Sequence, residues 1–187
     1  RRQRQMCIRD SPGRPFTFQE AFSANLSIRA EDFRAVGGFD ESFPASGGED
    51  LDFAYRAQQR GLNLVYNPAA VGYHNHPVDL QRACRQALAY QSSIALLLCK
   101  HPELRGQIAH LRDKEPIAWG RDDPALVVRK VARRFLAARP ILPVLVALTV
   151  LAERICPSDR VLAWLYWKVL GGYQLRGLRA GLRRYGR

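Results

Sequence analysis

Gly47-Gly48-Glu49-Asp50-Leu51-Asp52-Phe53-Ala54-Tyr55-Arg56 is the stretch on which the reading of this chain turns. Three carboxylates fall within four residues, directly behind two glycines. A helix is predicted from near Glu49 to Arg60, ended by Gly61. That places the carboxylates in a first turn, where the helix dipole stabilises negative charge. The glycines let another molecule approach the backbone closely. Asp52 and Arg56, four residues apart, can pair on the helix surface. A plainer reading stands beside this one: Ser46-Gly47-Gly48-Glu49 fits a capping box, and acidic first turns are common. Spacing alone does not choose between them.

Working outward, Phe16 to Ile28 reads as extended, and Ala30 to Val36 as a short helix stopped by Gly37-Gly38. Residues 39–44 form a loop. Beyond Gly61, Leu62, Leu64 and Tyr66 alternate with Asn63, Val65 and Asn67, which predicts a short strand closed by Pro68. Ala70 to His76 is a second extended stretch. Asp79 is placed to cap a long helix with Leu80, Cys84, Ala87, Leu88, Gln91, Ala95 and Leu98 at helical spacing. Pro102 and Pro116 bound what reads as a polar connector, with a boundary near Gly120. His101 and His110 read as ordinary surface residues.

Charge divides the chain. The total is +12, made of +4 in residues 1–14, −2 in residues 15–120 and +10 in residues 121–187, so the tail seeks an anionic surface. Val127, Val128, Val131, Phe135 and Ala138 lie on one side of a helix, with Arg129, Lys130, Arg133 and Arg134 on the other. The uncharged run Ile141 to Ala152, interrupted by Pro143, is too short to span a bilayer, which needs about 20 apolar residues. Val161 to Leu182 carries Trp164, Tyr166, Trp167 and Tyr173 and ends in Arg176, Arg179, Arg183 and Arg184. Aromatics beside arginine on amphipathic helices suit a headgroup interface. The competing reading is a basic membrane- or nucleic-acid-binding module without catalytic activity. No nucleic-acid motif appears, and none is expected as a partner.

With 47% hydrophobic and 25% charged residues, the composition is that of a globular protein. The four cysteines (Cys7, Cys84, Cys99, Cys156) form no CxxC pair. That argues against a zinc knuckle or a disulfide framework and fits a reducing compartment. Residues 1–13, arginine-rich and without an apolar stretch or cleavage site, are read as a non-native or disordered leader, and the chain as truncated on that side.

Taken in order, Ala24-Asn25-Leu26-Ser27-Ile28-Arg29, Phe33-Arg34-Ala35-Val36-Gly37-Gly38-Phe39-Asp40-Glu41, Gly48 to Arg56, Gly61, Tyr66-Asn67-Pro68 and His74-Asn75-His76 closely resemble the family 2 glycosyltransferases. The resemblance covers roughly residues 16–100. It implies an inverting, nucleotide-sugar-dependent, hexosyltransferase-like enzyme of polysaccharide or glycolipid synthesis. It also implies an α/β fold: the C-terminal part of a GT-A (Rossmann-like) domain in residues 14–120, the acceptor and base side, followed by a basic, helical, amphipathic membrane-associating tail in residues 121–187. No Asp-x-Asp segment suited to metal and donor precedes the Glu-Asp pair, so the donor-binding half is expected to be missing and the chain alone to be inactive.

By the same resemblance Asp50 is the general base. Glu49, with Gly48, Asp52, Arg56 and Asn25, lines the substrate site. His74 or His76 is a metal ligand or touches the donor diphosphate; two residues apart in an extended segment, both imidazoles share a face. The expected cofactor is Mg2+ or Mn2+, the donor a nucleotide-sugar, and the acceptor a carbohydrate or a lipid-linked group. The expected location is the cytoplasmic face of the inner membrane, peripheral or monotopic.

Overall fold

The computed structural model describes residues 16–44, 47–67, 69–73 and 79–186. Among these residues the architecture is built from six α-helices: α1 (Ala30–Val36), α2 (Glu49–Gln59), α3 (Leu80–Lys100), α4 (Pro124–Leu136), α5 (Ile141–Ile155) and α6 (Asp159–Tyr185). Local chemistry sets most of their ends. Gly37 takes a left-handed conformation (φ 95°), so its N–H reaches the Arg34 carbonyl while that of Gly38 reaches Phe33, which closes α1. Asp79 caps α3 by accepting the Arg82 N–H at 2.6 Å, and Asp123 caps α4 through the Leu126 N–H at 2.8 Å, with Pro124 in the first turn. Pro143 falls in the first turn of α5, where its missing N–H removes no intrahelical bond, and the helix runs on unbroken.

The expected α/β core is not what forms. Among the described residues there is no strand. Residues 16–28 contain two short 3-10 turns, Phe18–Glu20 and Ser23–Asn25. Leu62, Leu64 and Tyr66 do alternate as the pattern suggests: Leu62 and Leu64 pack on the core, and Tyr66 stacks on Phe16 with ring centroids 5.4 Å apart. Alternation reports which side of a segment is buried. It does not supply the neighbouring backbone that a strand needs for its N–H and C=O groups, and residues 62–67 have no such ladder.

The main core joins Leu51 and Ala54 of α2, Ile94, Ala95, Leu97 and Leu98 of α3, and Leu178 of α6. Leu104, Ile108 and Leu111 complete it from the segment read as a polar connector; each is at most 1% exposed. A smaller cluster of Val36, Phe53 and Ala57 fixes α1 on α2.

Helix α6 is the spine of the second half, and its glycines set its neighbours. A Cβ on Gly177 would collide with the Leu88 carbonyl oxygen, and one on Gly181 would sit 2.6 Å from the Ser92 carbonyl oxygen, so α6 and α3 touch backbone to backbone. Gly172 makes room for Leu142 of α5, and Gly171 for the guanidinium of Arg133 on α4. Arg176 donates to the carbonyls of Ala137 and Ala138 at 2.9 and 3.0 Å, which satisfies the end of α4. The tail helices thus close onto α3 through α6.

Candidate active site

The first turn of α2 is seated by its glycines. Gly47 and Gly48 hold φ values of 117° and 109°, a region that favours glycine. The Tyr90 ring lies on Gly47 where a Cβ would stand. Phe43 and the Ser93 carbonyl press on Gly48. The start of α2 is therefore docked onto α3. No side chain caps α2 at Gly48; instead the Glu49 carboxylate turns back to accept the Gly47 N–H. Ser46, half of the expected capping box, lies outside the described residues.

The three carboxylates do different things. Asp52 is buried, with 1% of its surface exposed. One oxygen accepts from Arg56 Nε at 2.8 Å and the other meets His101 Nε2 at 2.8 Å. Arg56 also donates to the carbonyls of Val36 and Gly38, both at 2.8 Å. This brace ties α2 to the end of α1 and to the end of α3. His101, read in the sequence as a surface residue, is its third member. Its Nδ1 lies 3.5 Å from Glu103, and its ring packs edge-on against Tyr55. A contact across 49 residues leaves no local pattern to read.

Asp50 is placed differently. It is half-buried, and its Oδ1 is shielded from solvent with no hydrogen-bond partner among the described residues. Burial pushes the neighbouring Tyr90 phenol up to about 12, with the negative charges of Asp50 and Glu49 adding to the effect. A carboxylate with an unsatisfied oxygen beside an un-ionised phenol can accept a proton from an incoming hydroxyl.

Other expected site residues are dispersed or outside view. Asn25 donates to the Ala70 carbonyl at 2.8 Å, joining the 23–25 turn to the 69–73 segment. His74 and His76 lie outside the described residues. His110 is on the surface. Asp40, in the loop after α1, pairs with Lys100 at 2.5 Å. The hydrogen bond from Lys100, with that from Ser42, holds its carboxyl far below the usual range. A cavity of about 240 Å³ runs along the second and third turns of α2 between Phe18, Phe53 and Leu64, and neither Glu49 nor Asp50 lines it. Among the described residues no group of three or more His, Cys, Asp or Glu converges to hold a metal. The described residues therefore bring together no complete set of ligands for a divalent cation.

Comparison with known proteins places the chain in a class. The model of glycosyl transferase family group 2 matches residues 4–173, so the chain belongs to that family. The match starts inside the segment read as a leader and takes in most of the tail. Family 2 glycosyltransferases generally use nucleotide-sugar donors and often divalent metals.

Among individual relatives, the chain is 36% identical over 81 residues to the pre-mycofactocin glycosyltransferase of Mycobacterium tuberculosis, 43% of this chain and 17% of that protein. It is 39% identical over 51 residues to the validoxylamine A glucosyltransferase of Streptomyces hygroscopicus, 27% of this chain and 12% of that protein. It is 26% identical over 104 residues to the chondroitin synthase of Pasteurella multocida, 56% of this chain and 10% of that protein. The matches thus span a small part of each relative's length. No solved structure gives a significant match.

Proposed function

We propose that the whole protein transfers a sugar from a nucleotide-sugar to an acceptor hydroxyl with inversion, and that Asp50 is the general base. In that step the acceptor O–H gives its proton to the Asp50 carboxylate and the oxygen bonds to the anomeric carbon. The bond from that carbon to the donor phosphate breaks, and the nucleoside diphosphate leaves with the electron pair. The observation that carries the assignment is the Oδ1 of Asp50, shielded and without a hydrogen-bond partner among the described residues, at the docked first turn of α2. A positioned base supplies about 10²–10⁴-fold in rate. Asp50→Asn in the whole protein is expected to lower kcat by that factor with the fold intact, and turnover equal to that of the natural protein would remove Asp50 from the role.

Glu49 orients the acceptor side, and the tail meets the membrane surface at its cytoplasmic face. Support for the second point is the pairing of net charge +10 in residues 121–187 with exposed Val128, Val131, Phe135, Trp164 and Trp167 on α4 and α6. No single helix among the described residues is long and apolar enough to cross a membrane. The pair α4 and α5 passes that test together but is bent by 85°. This arrangement suits a surface-lying attachment, and flotation with liposomes tests it.

A further inference from the structure

Between α4 and α6 lies an open cavity of about 120 Å³ that the transfer reaction does not use. It belongs to the far side of the molecule in connectivity: α2 packs on α1 and α3, whereas α4 packs on α5 and α6. Three cations face it, Arg129 and Arg133 from α4 and Lys168 from α6, against one carboxylate, Asp113. That carboxylate is already engaged, by Arg133 on one oxygen and by Lys114 at 3.3 Å on the other. Arg133 is held in place as the floor: Asp113 grips its guanidinium, which lies against Gly171 where a Cβ would stand. Among the described residues Arg129 reaches only a carbonyl of its own helix, at 3.4 Å. Lys168 rests over the Trp164 ring, 5.3 Å from the centroid.

Helical geometry puts an apolar rim beside these charges. Val161 and Trp164 run along α6 in line with Lys168, and exposed Val128, Val131 and Phe135 occupy the side of α4 away from Arg129 and Arg133. Trp167 is itself a wall of the cavity and is 73% exposed; Phe135 is 63% exposed. A pocket in which Arg129 and Lys168 have no carboxylate partner among the described residues, walled by tryptophan and bordered by exposed aliphatic and aromatic side chains, matches a phosphate whose ester oxygen leads into hydrocarbon.

We propose that the Arg129–Arg133–Lys168 cavity binds the phosphate of an anionic phospholipid, while Trp164, Trp167 and Phe135 enter the interface around it. The site fixes how the tail is turned on the bilayer. This inference rests on the membrane reading of the tail and adds to it a defined site.

The test is flotation of the full chain with phosphatidylcholine vesicles and with vesicles in which part of the lipid is phosphatidylglycerol. Three proteins are compared: the natural sequence, R129Q/K168Q, and R183Q/R184Q, which loses the same charge at the distant end of α6. All four positions are at or near the surface, and far-ultraviolet circular dichroism confirms folding. The natural protein is expected to prefer the anionic vesicles. The cavity variant should need about tenfold more anionic lipid for half-binding, and the control variant less than about threefold.

Equal losses in the two variants would mean diffuse charge and overturn the site while leaving membrane attachment intact. No flotation of the natural protein on either vesicle would sink the membrane reading and the site with it. Displacement by millimolar inorganic phosphate, beyond that caused by chloride at equal ionic strength, would give the cavity to soluble phosphate and overturn the lipid assignment.

Discussion

Asp52→Ala is expected to be the most destabilising single change in the first turn of α2, although Asp52 stands two residues from the proposed base. Its side chain is 2% exposed, and its two partners keep 26% (Arg56) and 18% (His101) of theirs. Removing one member of a fully buried pair costs about 3–5 kcal/mol, chiefly because the other charge is left uncompensated. Arg56 keeps two carbonyl acceptors and some access to water, so the lower end, about 3 kcal/mol, applies. For a chain of this length each kcal/mol moves Tm by about 2–4 °C, giving a fall of about 6–12 °C in thermal unfolding followed by circular dichroism. His101→Gln alone should cost about 1 kcal/mol. Because both changes act on one bond, the double variant should be less unstable than the sum, with a coupling of about 0.5–3 kcal/mol. An Asp52→Ala variant within about 0.5 kcal/mol of the natural protein, the range of ordinary surface substitutions, would refute the brace, as would strict additivity.

Gly177→Ala should destabilise by about 1–3 kcal/mol in denaturant unfolding, because its Cβ meets the Leu88 carbonyl; a gain in stability from the better helix former would show that α3 and α6 are not in backbone contact. The Asp40–Lys100 pair works through a depressed carboxyl pKa, so its contribution is complete above the unfolded value of about 3.9 and is lost as pH falls below it. The stability gap between the natural protein and Lys100→Met should therefore be constant at neutral pH and close in acid; a gap that persisted unchanged in acid would contradict the pairing. Tyr90 ionises at about 12 partly because of Asp50. The ultraviolet titration difference between Asp50→Asn and its Tyr90→Phe derivative should place the phenol lower than in the natural background, and an unchanged midpoint would separate the two groups.

Features governed by neighbours in the chain were legible. The bounds of α1, its glycine stop and the Asp79 cap all depend on residues within about four positions, and the structure has them as expected. Features that need a distant partner were not. Alternation at 62–67 showed the buried side but not whether any backbone would lie alongside. The connector looked polar because charged residues outnumber apolar ones there, yet Leu104, Ile108 and Leu111 recur at intervals of four and three and turn one side inward. In α6 the aromatic residues drew attention, while Gly171, Gly172, Gly177 and Gly181 decide what it packs against. His101 carried no signal, since its meaning comes from Asp52. For the site, the Gly-Gly-Glu-Asp-x-Asp run located the right turn without dividing its labour.

That division is what favours Asp50. If the acidic run served only to start a helix, each carboxylate would have structural work. Glu49 has it, holding the Gly47 N–H, and Asp52 has it, holding Arg56 and His101. Asp50 makes no such bond among the described residues: its Oδ1 is shielded and unpaired, and leaving a buried polar atom unsatisfied costs about 1–3 kcal/mol. Function is one reason a group that costs stability is kept, as at strained, destabilised active sites. Replacing Asp50 by Asn or Leu should therefore leave the unfolding midpoint equal or raised while turnover falls. The same substitution at Asp52 should lower both, and a stability loss at Asp50 as large as that at Asp52 would make the run a structural device throughout.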